Sequence, residues 1–464
     1  MKQNIAKEGL YVNPQDFSLL TDLYQLTMAA CYAGEGLAEK RASFELFTRR
    51  LPVCEAHRRY RFGYLIAMGL TQALEYLEQL SFDREQIEAL KDTGIFDNAP
   101  PQFWQLLSGG FTGDVWAVPE GTAIFANEPM LRIEAPLWQA QLAETYLLNT
   151  INYQTLIATK AARIRDVAGS AANILEFGTR RAFSPQGAVW AARAALAAGF
   201  DGTSNVLAAL KLGEKPRGTM AHALIMAINA VSGSEDDAFD AFRKYFPDAP
   251  LLIDTYDTVA AAKRLQQQIE AGETSVTGVR IDSGDLVSLS QQVRACLPET
   301  KIFASGDLDE WEITKLKQEG AVLDGYGIGT KLVTGVPVNG VYKLVEIDNI
   351  PTMKESKGKL TYPGCKQIFR TTINGKIQSD RLGLKDEAVR DNEQALLQLV
   401  MQGGVRQQAD ATLEQIRQRT AISVTSLPKN IRQTNNSDRF TVNISSDLSA
   451  LRQSVAKSQT VVSH

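Results

Sequence analysis

The sequence predicts an irregular barrel of parallel strands and helices, joined to a split α+β domain that the chain leaves and later re-enters. Three observations carry this. Between Leu251 and Thr330, short apolar runs end in Asp, Ser, Gly or Thr, and helical patterns separate them, which is the period of a βα unit. The rhythm is absent before about residue 145. It stops again after about residue 340, where hairpin-like stretches take over. The expected division is therefore 1–145 completed by 340–440 for the split domain, 146–339 for the barrel, and 441–464 for a polar tail.

Asp16–Met28 opens with capping residues and then spaces its apolar positions at i, i+3 and i+4, a helix signature. Ala42–Leu51 alternates in part and reads as a strand. Phe111–Ile133 carries short strand-like runs broken by Gly and Pro, and Leu137–Arg165 reads as long helix. From Asn173 the βα period begins. NILEF is a strand entering the loop Gly178–Arg181, and GAVWAARAALAAG is an Ala-rich helix. Turns at Asp201–Asn205 and Pro216–His222 each lead into a further helix. The strand ends then recur at Asp254, Asp282, Ser305 and Gly329, each step about long enough for one strand, one helix and two loops. Beyond residue 340, VYKLVEI, LTYPGCKQIFR and TTINGKI look like paired strands with Asn374-Gly375 as a turn.

The bulk numbers limit the partners. A chain of 464 residues with 44% hydrophobic and 22% charged residues can bury more than one core. A net charge of −4 gives no general attraction to nucleic acid or anionic membranes, so anionic ligands need local arginines. The candidate clusters are Arg49–Arg50, Arg58–Arg59–Arg61 and Arg180–Arg181. The four cysteines form no CxxC, so neither a zinc site nor a disulfide framework is expected. The N-terminus has no apolar signal core, and the longest uncharged run, Gly218–Ser234, contains His222 and Asn229. A reduced, cytoplasmic setting is the expectation.

Only three histidines occur. His464 is terminal and His57 lies in an Arg-rich loop, whereas His222 falls where a barrel strand should end, beside Gly218 and Thr219. Its imidazole can act as a base or as a phosphoryl acceptor. Asp254 and Asp282 stand at strand ends proper, where a carboxylate can orient ribose hydroxyls, hold Mg²⁺ or support a histidine. Asp257 and Asp285 sit where a helix N-cap is at least as good a reading. Ser305-Gly306-Asp307 and Gly325-x-Gly327-x-Gly329-Thr330 suit backbone approach to phosphate in the last units of a barrel. No Walker A or dinucleotide-binding glycine pattern occurs. Together these features point to an enzyme acting on a phosphorylated sugar.

Nine stretches extend the inference: LLTDLYQLTM (Leu19–Met28), FELFTRRLP (Phe44–Pro52), LEFGTRRA (Leu175–Ala182), GFDGTSNV (Gly199–Val206), GTMAH (Gly218–His222), GVRIDSGDL (Gly278–Leu286), ASGDLDE (Ala304–Glu310), GYGIGT (Gly325–Thr330) and PGCKQIFR (Pro363–Arg370). In this order they resemble the nicotinate phosphoribosyltransferase family over most of the chain. The resemblance implies a TIM-like barrel of the type II phosphoribosyltransferase kind. It also implies transfer of the phosphoribosyl group of 5-phosphoribosyl-1-diphosphate to nicotinate, with Mg²⁺, and with ATP as co-substrate acting through a phosphohistidine at His222. Asp254 would orient His222 and Asp282 would hold the ribose hydroxyls. Tyr24 (from a partner subunit), Phe177, Thr219 and Arg280 would meet nicotinate. Arg180, Ser305, Gly306, Gly327, Gly329 and Thr330 would receive phosphates. A homodimer with shared sites and a place in NAD biosynthesis follow from the same resemblance. Cys365 in PGCKQ departs from the family, where a basic residue is common. The nearest rival is a nicotinamide phosphoribosyltransferase, but a neutral amide needs no cation, and Arg180–Arg181 and VRIDSGDL favour the acid. A sugar-phosphate aldolase would need Lys331 as its Schiff-base lysine, and a sensing barrel without chemistry would release no diphosphate.

Overall fold

A computed structural model describes residues 10, 12–53, 62–356, 359–435 and 438–462. The cluster Arg58–Arg59–Arg61, together with Cys54, His57 and His464, lies outside the described residues. The chain divides into two units, one of Met1–Thr155, Pro337–Thr412 and Thr425–His464, the other of Leu156–Val336 and Leu413–Val424.

The second unit is built on six parallel strands: β1 Asn173–Glu176, β2 Gly202–Thr203, β3 Leu251–Leu252, β4 Gly278–Ile281, β5 Lys301–Ser305 and β6 Gly325–Ile328. Their order in the sheet is β2-β1-β6-β5-β4-β3, so the last strand pairs with the first, with Tyr326 opposite Ile174. This is chain order around a ring with one junction, β2 to β3, lacking a ladder. Strand residues such as Leu251, Leu252, Val279, Ile281 and Ile302 are buried, as expected where helices cover a parallel sheet. They share one core with Ile225, Phe239, Ala261, Leu265 and Val293 from the helices His222–Ser232, Glu235–Tyr245, Thr258–Glu270 and Leu286–Cys296.

Capping residues start the helices. Ser184 accepts from the Gly187 N–H, with Pro185 in the first turn. Asp257 accepts from Ala260 N at 2.9 Å, and Asp285 from Val287 N and Ser288 N at 3.2 Å each. These two carboxylates therefore cap helices, while Asp254 and Asp282 face elsewhere.

At the unladdered junction the chain from Gly213 to Ala221 forms no regular element. The Arg217 N–H donates to the Thr203 carbonyl of β2 at 2.8 Å, and the Thr219 hydroxyl donates to the carbonyl of Pro250, just before β3. A non-ladder segment thus spans the gap, and His222 follows directly. The stretch Leu413–Val424 also belongs to this unit. Arg417 and Thr420 donate to the carbonyls of Phe200 and Ala197, at the end of the Ala-rich helix Pro185–Ala197. Sequence periodicity had assigned this stretch to the split domain, because a side-chain cap on a distant helix leaves no periodic mark.

The first unit contains a seven-stranded sheet in the order Ile350–Pro351, Gly340–Ile347, Arg41–Thr48, Pro129–Pro136, Asp114–Ala117, Gln398–Gln402, Val405–Arg406. Its three central strands come from the N-terminal part and both flanks from the C-terminal return. A smaller sheet holds the hairpin Lys366–Ile373 and Lys376–Leu384, turning at Asn374 (φ 51°) and Gly375 (φ 70°). Residues 441–464 were expected as a separate tail, yet Val442–Ile444 pairs in parallel with Lys376–Leu384 and Ser446–Val462 is helical with Leu448 buried. At the PGCKQ stretch, Lys366 forms a buried pair with Glu45 at 2.9 Å, while Cys365 is buried and its thiol is pushed up to about 12, chiefly by burial. This unit has its own cavity, lined by Arg49, Arg50, Arg439, Phe125 and Phe440 among others. Among the described residues no helix is long and apolar enough to cross a membrane.

Candidate active site

The carboxyl ends of β1 and β3 to β6 gather most of the predicted side chains. His222 begins the helix His222–Ser232, and its Nδ1 lies 3.0 Å from the Thr255 hydroxyl. Its Nε2 lies 4.0 Å from Asp254 Oδ1. The Asp254 side chain is 2% exposed, and its Oδ2 accepts from Asp282 N and Ser283 Oγ, both at 2.8 Å. Its Oδ1 is buried with no hydrogen-bond partner among the described residues. An acceptor left unsatisfied beside an imidazole suits a proton-bearing ring nitrogen.

Arg280, on β4, links the histidine segment to the rest. Its Nη2 donates to the Met220 carbonyl at 2.7 Å, and Nη1 donates to Asp282 Oδ1 at 3.2 Å and Ser305 Oγ at 3.1 Å. Ser305 in turn donates to Asp282 Oδ1. Burial pulls the guanidinium below its ordinary value against the attraction of Asp282 and Asp254, and the positive charge of Arg180 adds to the downward push. Its Nε is buried without an acceptor among the described residues. A planar cation with a spare donor matches an incoming carboxylate.

Phe177 follows β1, and the Arg280 guanidinium carbon lies 6.0 Å from its ring centroid. Phe177, Phe303, Leu175, Pro250, Thr219 and Arg280, with Gly218 and Gly327, line a narrow cleft with room for about one water, roughly 10 Å³. Its lining is mainly apolar, with aromatic faces and the Arg280 cation among the lining groups. A Cβ on Gly327 would meet Phe177 ring carbons at 2.4 and 2.5 Å, so glycine there lets the ring lie against β6. Glu176, fully buried, holds the Phe177 loop. It accepts from Gly178 N and from Thr203 Oγ1, and burial raises its carboxyl against those two bonds. Gly306 takes φ 92°, and a Cβ there would meet the Asp282 carbonyl at 2.4 Å, so the turn after β5 requires glycine. Gly329 precedes the short helix Thr330–Val333, next to the Phe177 carbonyl. Arg180 is exposed in the loop after Phe177.

His222, Asp254, Asp282, Arg280, Ser305, Gly306, Phe177, Thr219 and Gly327 therefore belong to one connected region, with Arg180 close enough to act on Arg280 electrostatically. Tyr24 belongs to the first unit. It is 47% exposed on the helix Leu23–Gly34, and its hydroxyl donates to Glu144 at 3.2 Å. Sequence reasoning missed Thr255, Ser283, Glu176 and Phe303. Thr255 and Ser283 each follow a predicted aspartate and were within reach, whereas nothing local marks Phe303.

A ring of parallel strands whose carboxyl ends collect a histidine, carboxylates, a half-buried arginine and a small aromatic cleft defines a barrel enzyme whose site suits anionic substrates. Comparison with known proteins narrows this class. Family models match residues 19–152 (nicotinate phosphoribosyltransferase N-terminal domain), 172–382 (the nicotinate phosphoribosyltransferase family) and 385–452 (its C-terminal domain). The nicotinate phosphoribosyltransferase of Bacillus subtilis is 41% identical over 399 residues, covering 81% of this chain and 78% of that protein. The enzyme of that name from Caenorhabditis elegans is 33% identical, with 84% and 81% covered. The crystal structure of human nicotinic acid phosphoribosyltransferase superposes with a TM-score of 0.79 at 28% identity, covering 94% of this chain and 99% of that one. In fold alone, the nicotinate-nucleotide pyrophosphorylase of Pyrococcus furiosus is also similar, with a TM-score of 0.71 at 24% identity over 90% and 98% of the two chains. The chain belongs to the nicotinate phosphoribosyltransferase family.

Proposed function

We propose that the chain joins nicotinate to 5-phosphoribosyl-1-diphosphate, releasing diphosphate and nicotinate mononucleotide for NAD biosynthesis, with ATP as co-substrate through a phosphohistidine at His222. The observation that carries this reading is the hydrogen-bonded link from Met220, two residues before His222, through Arg280 to Asp282 and Ser305. It ties the nucleophile's segment to the aromatic cleft.

Nicotinate lies against Phe177 with its carboxylate toward Arg280 and Thr219, and the partner's Tyr24 supplies the second ring face in a homodimer. As the C1′–O bond breaks, positive charge grows on the ribose and negative charge on diphosphate. Asp282 holds the ribose hydroxyls. Arg180 and the turns at Ser305–Gly306 and Gly327–Thr330 receive phosphates, and Asp254 supports the imidazole. Among the described residues no three His, Cys, Asp or Glu side chains gather into a metal cage. Mg²⁺ is commonly held by one or two carboxylates together with substrate phosphates, and Asp282, 37% exposed, is a carboxylate open to share it. Bound there, the ion would neutralise diphosphate charge.

The test is turnover of nicotinate and nicotinamide at equal concentration, with and without ATP. Faster turnover of nicotinate, stimulated by ATP, is expected, and faster turnover of the amide overturns the assignment.

A further inference from the structure

The imidazole of His222 has a polar side chain on each side, and Thr255 has no role in the proposal above. Asp254 Oδ1, buried and unpartnered among the described residues, faces Nε2 at 4.0 Å, and the Thr255 hydroxyl faces Nδ1 at 3.0 Å. A carboxylate can only accept, so Asp254 favours the tautomer that carries the proton on Nε2. Nδ1 then holds the lone pair, and the Thr255 hydroxyl donates to it. Resting on the reading of His222 as phosphoryl acceptor, we propose that Thr255 is a positioning residue. In the tautomer that Asp254 favours, it holds the ring with Nδ1 aligned for ATP.

The chemistry balances. The Nδ1 lone pair forms the bond to the γ-phosphorus of ATP, the bridging oxygen–γ-phosphorus bond breaks, and its electron pair leaves on ADP. The ring gains positive charge, which the Nε2–H shares with Asp254. The Thr255 hydroxyl, released from Nδ1, is placed to donate to a phosphoryl oxygen. His222 is also the first residue of an eleven-residue helix, whose free N–H groups favour the added negative charge. Ser283 and Asp282 N occupy the other Asp254 oxygen, so the carboxylate cannot turn away from the ring without losing two bonds.

The full-length protein is incubated with γ-labelled ATP, and the wild type, Thr255→Val and Thr255→Ser are compared. Phosphoenzyme formation is followed by label uptake, and the phosphohistidine isomer by phosphorus NMR. The wild type should carry one isomer, on Nδ1. Thr255→Val should form phosphoenzyme about tenfold more slowly, the loss expected for one neutral hydrogen bond, and give a mixture of isomers. Its ATP-stimulated rate should fall further than its ATP-independent rate. Thr255→Ser, which keeps the hydroxyl, should restore both the rate and the single isomer. A Thr255→Val protein that matches the wild type in rate and isomer overturns the proposal, as does a wild-type phosphate on Nε2. A wild type that takes no label at all removes the His222 reading, and this inference with it.

Discussion

Five junctions of the ring are hydrogen-bonded ladders, whereas between β2 and β3 the gap is crossed by Arg217 and Thr219 with one bond to each side. The laddered part carries the groups whose positions must not vary. Arg280 lies within β4, Gly327 within β6 and Ser305 at the end of β5. The unladdered junction leads straight to His222, the residue proposed to gain and lose a phosphoryl group. Segments with few backbone bonds open at lower free energy than ladder strands, so the chain places its covalent chemistry just after its least tied junction and most of its recognition groups, Thr219 excepted, on the ladders.

The largest break in this comparison comes from His222→Ala. It should abolish phosphate uptake from ATP and the whole ATP-stimulated rate while leaving the melting temperature close to wild type, and a mutant still fully stimulated by ATP contradicts the division. Next is Arg280→Ala on the laddered side. It should raise the KM for nicotinate about a hundredfold, as expected when a charged hydrogen-bond partner is removed, and raise the KM for the ribosyl donor much less. Equal increases would take Arg280 out of the aromatic cleft. Gly327→Ala should act through Phe177, since its Cβ has no room beside that ring. A destabilisation of about 1–3 kcal/mol is expected from overpacking, with weaker nicotinate binding and an unchanged phosphohistidine yield. Smallest is Asp257→Ala. It should cost about 1 kcal/mol as a lost helix cap in chemical denaturation and leave kcat within twofold. A large loss of activity would make Asp257 more than a cap.

Much of the ring was legible because each strand end repeats the same chemistry. Asp254 and Asp282, picked for their strand-end positions, prove to be neighbours, with the Asp282 N–H donating to Asp254. Asp257 and Asp285, three residues on from each, prove to be caps. What stayed hidden depends on partners far along the chain. The open junction is a property of ladder registers, not of any local pattern. Phe303 enters the cleft only because β5 lies beside β6. Leu413–Val424 reaches the second unit through capping of a helix about two hundred residues earlier. Thr255 was overlooked for a different reason, since a hydroxyl beside a stronger candidate draws no notice until its distance to the imidazole is known.

The split sheet carries a consequence for how the molecule comes into being. Arg41–Thr48 forms ladders with Gly340–Ile347 and Pro129–Pro136, and Asp114–Ala117 forms one with Gln398–Gln402. During synthesis the N-terminal strands leave the ribosome with two sheet edges unpaired, and the residues that cover them emerge only after the entire ring has been made. Glu45 waits likewise for Lys366. Unpaired edges of apolar strands invite pairing with other chains. A nascent chain stopped near residue 336 should therefore hold every strand of the ring, but not its Leu413–Val424 cap, while its first domain clings to chaperones or to its neighbours.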